Sequence, residues 1–283
     1  MTAATPLSIE HYLLADALLP AVMAAARVQM RYFRAGTAVI TKADATPVTA
    51  ADQESETIIL AALATLAPRV PVIAEEAMAA GQMAVTGSGP GAELFLVDPL
   101  DGTREFIANR PEFTINIALV RDGVPRFGII YAPALGVLYA TLGEDQAIEA
   151  QVLPDAEVTR FADLATVRIR SRTAPADGLV AVASRSHGSQ ATDAFLGQYK
   201  IARRTAAGSS LKFCVVAKGE ADIYPRCGPT CEWDTAAGQA ILAVAGGCVT
   251  TMDGVPLVYG KRDQKFRNPD YVAWGQGPLK PEF

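Results

Sequence analysis

The chain has 283 residues, half of them apolar, with a mean hydropathy of +0.20 and a formal charge of −5 at pH 7. This length and apolar content are enough for a substantial core and exclude disorder as the main state. The negative charge argues against a general nucleic-acid binder, which needs a basic face, but leaves a small phosphorylated ligand open.

The N-terminal segment predicts neither a membrane span nor a signal sequence. Its apolar residues are interrupted by Glu10, His11, Asp16 and Pro20, so no run of about 18 apolar residues forms. We therefore expect a soluble, cytoplasmic protein without a stable membrane anchor. Nothing in the sequence indicates an oligomeric state.

The first half of the sequence predicts two helices packed on a mostly antiparallel sheet. Apolar residues recur at helical spacing over residues 7–34, and Gly36 ends that pattern. A second helix follows Thr49, an N-cap candidate, and continues to the stop at Pro68. Over residues 70–144 the pattern changes to short apolar runs with Asp-Gly, Pro and Gly turns, which is typical of strands.

The second half predicts a smaller α/β unit, because strand and helix candidates alternate there. The strand candidates are residues 167–171, 179–184 and 200–204, and the helix candidates are residues 187–197, 209–218 and 234–245. We therefore divide the chain into an α+β domain, residues 1–160, and an α/β domain, residues 161–283.

Acidic residues stand at the ends of predicted strands and at the start of the last helix. They are Glu75 and Glu76 after "VPVIA", Asp98 and Asp101 in "LFLVDPLDGTREF", and Asp234 before an Ala-rich helix. Carboxylates without accompanying His or Cys favour Mg²⁺, Mn²⁺ or Ca²⁺ over zinc. Each acid alone is open to a structural interpretation, as a turn former, a solvated strand end or a first-turn helix acid. Their coincidence favours a magnesium site.

Pro99 shapes this motif, because it fixes φ and removes a hydrogen-bond donor, so the strand cannot simply continue. The carbonyl of Leu100 is then free to point to the same place as the carboxylates of Asp98 and Asp101. Two acids this close repel one another, and bound dications would offset that repulsion. Two dications about 3.5 to 4 Å apart would suit phosphoryl hydrolysis, one activating water and the other stabilising the leaving oxygen.

Three further motifs are open to a second interpretation. Thr49 and Asp52 have capping-box spacing, so from the residues alone a structural role for Asp52 is favoured over catalysis. The "DGT" at Asp101 imitates the D-x-D-G-T motif of haloacid-dehalogenase phosphatases, but Pro99 stands where the spacing would need an Asp. The cysteines at 214, 227, 231 and 248 favour reduced, mostly buried thiols over a zinc site, because the chain has only two His.

With "EE", "VDPLDGTREF" and "EWDTAAG" together, the sequence resembles the inositol monophosphatase superfamily of Mg²⁺-dependent, lithium-sensitive phosphatases. The resemblance covers about residues 38–270. Within the superfamily it is most similar to the CysQ-type 3′(2′),5′-bisphosphate nucleotidases, through "KADATPVTAAD", "ASRSH" and "GSSLKFCVVAKGEADIYPRCGPTCEWDTAAG". The resemblance implies a layered α-β-α-β-α sandwich, with α+β and α/β halves and the site between them.

Residue by residue, the resemblance implies a metal site, a water site and phosphate contacts. The implied metal ligands, for about two or three Mg²⁺ ions or for Mn²⁺ as a substitute, are Glu75, Asp98, the Leu100 carbonyl, Asp101 and Asp234. Asp52 and Thr103 would orient and deprotonate the attacking water. Gly102 and Thr103 would offer backbone donors to the phosphate.

The remaining motifs suit an adenosine phosphate. Gly208, Ser209 and Ser210 open a predicted helix whose free N–H groups would bind an anion, and Lys212 adds charge. The other expected substrate contacts are Ser184, Arg185, His187, Tyr224 and Arg226, besides Glu75, Leu100, Asp101, Gly102, Thr103 and Asp234. The "GSS" segment is also an ordinary N-cap, and Arg226 is also open to pairing with a nearby acid.

The sequence departs from the family pattern without losing a proposed metal ligand. Arg104 stands where many relatives carry Lys, which keeps the charge but changes the donor geometry. Cys231 precedes "EWD" where we expect another apolar or polar residue. Loss of activity is therefore not indicated.

The resemblance thus predicts an Mg²⁺-dependent phosphatase that hydrolyses the 3′-phosphate of adenosine 3′,5′-bisphosphate (PAP) by attack of water. The sulfated form of this nucleotide (PAPS) is a further expected substrate. It links this activity to sulfur assimilation and leaves open peripheral association with the inner membrane. Two alternatives remain: an inositol or sugar (bis)phosphate as substrate, and a catalytically silent metal- or nucleotide-binding regulator.

Overall fold

The computed structural model describes residues 11–35, 39–41, 47–82, 91–184 and 189–280. The helices within these ranges are α1 His11–Ala35, α2 Ala50–Leu66, α3 Glu75–Ala79, α4 Thr103–Ile107, α5 Gln190–Leu196, α6 Leu211–Ala217 and α7 Ala236–Val244. The first strands are β1 Val39–Thr41, β2 Pro47–Thr49, β3 Val72–Ala74, β4 Glu93–Asp101, β5 Thr114–Arg121, β6 Val124–Ala132, β7 Val137–Thr141 and β8 Ala147–Gln151. The remaining strands are β9 Thr166–Arg168, β10 Leu179–Ser184, β11 Ile201–Ala207, β12 Ile223–Arg226, β13 Cys248–Thr251 and β14 Tyr271–Trp274.

A seven-stranded sheet in the order β3 to β9 forms the larger half, and it is antiparallel except where β3 runs parallel to β4. Its central strands are almost continuous apolar runs, because both faces of the sheet are covered. The mostly antiparallel sheet predicted for the first half is therefore confirmed.

One face of this sheet is covered by α1 and α2, whose apolar stripes meet it in a single core. Leu18 and Val22 of α1 and Ile59 of α2 are fully buried there against Phe95 and Ile117 of the sheet. An 18-residue window of α1 has a mean hydropathy of 1.4, enough for a membrane span by length and composition, but 61% of that window is buried inside the protein. The burial explains the apolar composition, because a core helix passes the same test.

The opposite face of the large sheet packs on α6 and α7, and here glycines allow a close approach. A Cβ on Gly128 of β6 would lie 2.5 Å from the carbonyl oxygen of Ala237 in α7. A Cβ on Gly238 would meet the ring of Phe213 in α6 at the same distance. The two helices therefore form a thin middle layer.

A five-stranded sheet in the order β11-β10-β12-β14-β13 covers the other side of α6 and α7. Its outer face packs on α5, with Leu196 of α5 buried beside Ile223 and Trp274. The layers therefore alternate α-β-α-β-α, as predicted.

The structure of the second half of the chain differs from three predictions. The strand predicted at 167–171 is β9, which pairs with β8 at the edge of the large sheet rather than in the smaller unit. Strands β12, β13 and β14 were not predicted. They are short, and β14 pairs antiparallel with β12 and β13, which are distant from it in the sequence. Helix α6 starts at residue 211, two residues later than predicted, because Ser209 adopts a left-handed φ of 52°. The division at residues 160/161 stays a prediction.

Candidate active site

The acidic motif lies at an irregular end of β4. Asp98 pairs with Asn116 and Asp101 with Thr114, so three steps along β4 oppose two steps along β5, which is a one-residue bulge. In a regular strand, residues three apart point to opposite faces, whereas a bulge re-aims the side chains beyond it. Both carboxylates therefore line the same cleft. Leu100 N–H donates to Asp98 Oδ1 at 3.0 Å, which fixes the first carboxylate.

Gly102 turns the chain from β4 into α4. Its φ of 89° is a left-handed conformation that favours glycine, and a Cβ there would lie 3.3 Å from the carbonyl oxygen of Glu112. Thr103 follows as the first residue of α4 and lies at the cleft beside Leu100. The hydroxyl of Thr103 is 3.3 Å from the carbonyl oxygen of Leu100 and 3.3 Å from Asp52 Oδ1.

Asp52 is both a helix cap and a neighbour of Thr103. Its Oδ2 accepts hydrogen bonds from the Thr49 N–H at 2.8 Å and the Thr49 hydroxyl at 2.6 Å, which completes the predicted capping box. Its Oδ1 faces Thr103, while the whole residue is almost fully buried. The structural interpretation is therefore confirmed, and the proposed catalytic role of Asp52 stays a prediction.

The carboxylates near the bulge disfavour one another's ionised forms. Burial, and then the negative charges of Glu75 and Asp101, raise the pKa of Asp98 well above its usual range. Burial, and then Asp101 and Glu75, likewise raise the pKa of Asp234, although the N–H of Cys231 opposes this by donating to Asp234 Oδ2 at 2.8 Å. Neither Asp98 nor Asp234 forms an ion pair with a Lys or Arg of the described residues.

This donor set fits a divalent cation, which would remove the repulsion that raises both pKa values. Three carboxylates each use one oxygen for a protein hydrogen bond: Asp98 with Leu100 N–H, Asp101 with two serines, and Asp234 with Cys231 N–H. In the described part of the chain, the second oxygen of each accepts no hydrogen bond. Among the residues that the structure describes, no group of three Asp, Glu, His or Cys side chains is close enough to hold a metal ion as it stands. Binding of a cation would therefore require the carboxylate side chains to move closer together.

Ser209 and Ser210 contact Asp101. Their hydroxyls donate to Asp101 Oδ2 at 2.6 and 2.7 Å, and the Ser210 hydroxyl is also 2.8 Å from the carbonyl oxygen of Asp234. Gly208 packs against Glu112, since a Cβ on Gly208 would lie 2.7 Å from Glu112 Cβ. The two hydroxyls are therefore engaged by the Asp101 carboxylate, while the predicted anion contact through the N–H groups at this helix start stays a prediction.

Asn116 was missed by the sequence interpretation. It is buried in β5 and donates to the Ser210 hydroxyl at 2.8 Å and to Asp101 Oδ2 at 3.4 Å. One amide in the otherwise apolar run "TINIALV" was the pattern that could have revealed it, because a buried amide needs a partner.

The acids line a cleft of about 790 Å³, a volume typical of small-molecule sites. The predicted residues that line it are Glu75, Asp98, Leu100, Asp101, Gly102, Thr103, Ser209, Lys212, Tyr224, Arg226 and Asp234. Lys212 donates to the carbonyl oxygen of Ser209, and its ammonium lies 5.4 Å from the centre of the Tyr224 ring. The Tyr224 hydroxyl contacts that of Tyr271 at 3.3 Å.

The same cleft is lined by Arg226 and by the segment that follows it, residues 227–231. Arg226 Nη2 donates to the carbonyl oxygen of Pro229 at 3.3 Å, whereas its Nε is buried without a hydrogen-bond partner among the described residues. Burial, and then the negative charges of Asp234 and Glu75, raise the pKa of Cys231 to about 12, which keeps the thiol neutral. The four cysteines are free, but only Cys214 is fully buried, so the expectation of mostly buried thiols was too strong.

Two predicted contacts lie outside the described residues, namely Arg185 and His187. Ser184 ends β10, the strand that leads to them. These three residues stay predictions.

The fold and the acidic site agree with a match to a known protein family. The inositol monophosphatase family model matches residues 12–273, and the chain belongs to this family.

Curated relatives include the 3′(2′),5′-bisphosphate nucleotidase CysQ of Escherichia coli (strain K12), which is 41% identical over 240 residues, 82% of this chain and 87% of the relative. The CysQ nucleotidase of Aggregatibacter actinomycetemcomitans is 33% identical over 92% of both chains. Among solved structures, CysQ from Bacteroides thetaiotaomicron is 32% identical with a TM-score of 0.75, over 95% of this chain and 98% of that one. The Thermotoga maritima IMPase is 22% identical with a TM-score of 0.72, over 93% of this chain and 92% of that one, and has the same fold.

Proposed function

We propose that this chain is a 3′(2′),5′-bisphosphate nucleotidase that hydrolyses the 3′-phosphate of adenosine 3′,5′-bisphosphate to give AMP and phosphate, with a role in sulfur assimilation. The observation that carries the proposal is the 41% identity to a CysQ nucleotidase over 82% of the chain. The cleft supports it, because acids and arginines line the same cavity, which suits a substrate with two phosphates, one of them bound through cations.

Magnesium ions, held by Glu75, Asp98, Asp101, Asp234 and the Leu100 carbonyl, would activate water and neutralise charge on the reacting phosphate. We propose about two or three such ions, with Mn²⁺ as a substitute.

The protein's own residues position the reactants. The Thr103 hydroxyl holds the attacking water, and Asp52 Oδ1, 3.3 Å from that hydroxyl, receives the proton through it. The backbone N–H groups of Gly102 and Thr103 contact the phosphate. Ser209 and Ser210 hold Asp101 in place from the opposite side of the cleft.

Purified protein assayed with Mg²⁺ on adenosine 3′,5′-bisphosphate, its 5′-sulfated form and inositol 1-phosphate tests the substrate. We expect the highest kcat/KM for the two adenosine compounds. A wide preference for the inositol ester would overturn the proposal. Activity that survives unchanged in D101N would instead favour a regulator with a contaminating phosphatase.

Lithium inhibition follows from the family relationship and is tested by titrating Li⁺ against activity, where full insensitivity would contradict it. We propose the cytoplasm as the compartment, and the burial of α1 supports a core role for this helix rather than an anchoring one.

A further inference from the structure

Arg267 is a cleft residue to which the site described above assigns no task. It lies on the loop between the 3-10 turn Arg262–Gln264 and β14, and it lines the same cleft as Arg226 and the acids. Its side chain is exposed, and within the described part of the chain it makes no ion pair or side-chain hydrogen bond. An unengaged guanidinium in a cleft is available to a ligand.

The backbone around Arg267 is fixed relative to the metal site. Arg267 forms a β-bridge with Cys231, and Glu232 N–H donates to the carbonyl oxygen of Phe266 at 2.8 Å. The side chain of Asn268 adds hydrogen bonds to the Cys231 carbonyl oxygen at 2.8 Å and to the Thr235 hydroxyl at 3.0 Å. These contacts flank Asp234, so the backbone of Arg267 is anchored beside the segment that carries this acid, and its exposed side chain extends into the cleft from there.

The other cations of the cleft are wholly or partly engaged. Lys212 is held by the Ser209 carbonyl oxygen and the face of Tyr224, and Arg104 lies on α4 directly after Thr103 and takes part in other interactions. Arg226 uses one nitrogen on the carbonyl oxygen of Pro229. Arg267 therefore offers the cleft a whole planar guanidinium, the group best matched to a phosphate.

We propose that Arg267 binds the second phosphate of the substrate, the 5′-phosphate that the reaction leaves in place, and so makes the cleft select a nucleoside bisphosphate over a monophosphate. The inference rests on the proposed function. Arg226, whose buried Nε has no partner among the described residues, lines the same cleft and offers a second donor. Arg267 touches the part of the substrate that does not react, so it is a specificity residue.

The test compares two substrates with the same scissile group, adenosine 3′,5′-bisphosphate and 3′-AMP, in native protein and R267Q. Loss of a charge-assisted hydrogen bond should lower kcat/KM for the bisphosphate about 10- to 100-fold, mainly through KM, while the value for 3′-AMP changes less than about 2-fold. R267K, which keeps the charge but not the fork, should restore part of the loss. Inhibition by AMP, which retains the 5′-phosphate, should weaken in R267Q, and inhibition by adenosine should not.

R262Q is the matched control, because Arg262 is an exposed arginine of the same C-terminal region that does not line the cleft. It should leave both substrates unchanged. An equal decrease in kcat/KM for both substrates in R267Q, or no decrease for either, would overturn the role of Arg267. Turnover of the bisphosphate by the native protein would in that case still support the proposed function. Native protein that hydrolyses inositol 1-phosphate but neither adenosine compound would defeat both.

Discussion

At the scale of single residues, Asp52 caps a helix and, in the mechanism that we propose, also takes part in the reaction. Its Oδ2 accepts two hydrogen bonds from Thr49 and caps α2, while its Oδ1 is 3.3 Å from the hydroxyl of Thr103. A substitution of Asp52 would therefore change the helix cap and the reaction at once, and a helix cap alone is worth about 1 kcal/mol. Thr103 carries only the second task, so it separates the two.

T103V should lower kcat about 100-fold or more, because it removes the hydroxyl that links the attacking water to Asp52 but keeps the shape of the side chain. KM and the melting temperature should change little, since the capping hydrogen bonds from Thr49 remain. The control is T57V, on the exposed side of α2, where the hydroxyl contacts only the carbonyl oxygen of Gln53. Native kcat in T103V would show that the proton leaves by another route.

At the scale of elements, the approach of β6 to α7 decides how the middle layer fits between the sheets. Gly128 leaves no room for a side chain against Ala237, and Gly238 leaves none against Phe213. Only Thr235 separates Asp234 from the start of α7, so this packing also sets the distance between Asp234 and the sheet that carries Asp98 and Asp101.

G128A should destabilise the protein by about 1–3 kcal/mol, because its Cβ would lie 2.5 Å from a backbone oxygen that belongs to a packed helix and cannot move alone. Urea unfolding measures the loss. The matched control is G277A, where nothing lies within 4 Å of the added Cβ, and it should change the free energy of unfolding by less than about 0.5 kcal/mol. Equal stability of the two variants would mean that the layers can move apart without cost.

At the scale of the whole molecule, the site exists only when distant segments meet. Asp52 comes from α2, Glu75 from α3, Asp98 and Asp101 from β4, and Asp234 from the segment before α7. The unfolded chain holds these carboxylates far apart, so a divalent cation that binds them together binds the folded state preferentially.

Mg²⁺ should therefore raise the melting temperature in a concentration-dependent way, as measured by calorimetry without substrate. D234N should reduce this shift strongly. Without metal, D234N should be at least as stable as the native protein, because it removes one of the charges that repel each other while the Asn oxygen can still accept the Cys231 N–H. A native melting temperature that ignores saturating Mg²⁺ would contradict the assigned ligands.

The sequence by itself determined what depends on neighbouring residues. The capping box of Thr49 and Asp52, the bounds of β10 and the kink at Pro99 follow from side-chain hydrogen bonding, strand periodicity and the proline ring, all of which act within a few residues. The family motifs added the layered fold, which the structure confirms, and the proposed metal ligands, because each motif is a short stretch of sequence that can be recognised without the structure.

Only the tertiary structure decided which distant segments meet. It put β9 on the large sheet, paired β14 between β12 and β13, and turned Ser209 and Ser210 towards Asp101. It also tied Arg267 to Cys231 on the wall of the cleft. Such contacts join segments that are tens to hundreds of residues apart and depend on loop closure and packing. The local pattern of apolar and polar residues therefore does not predict them.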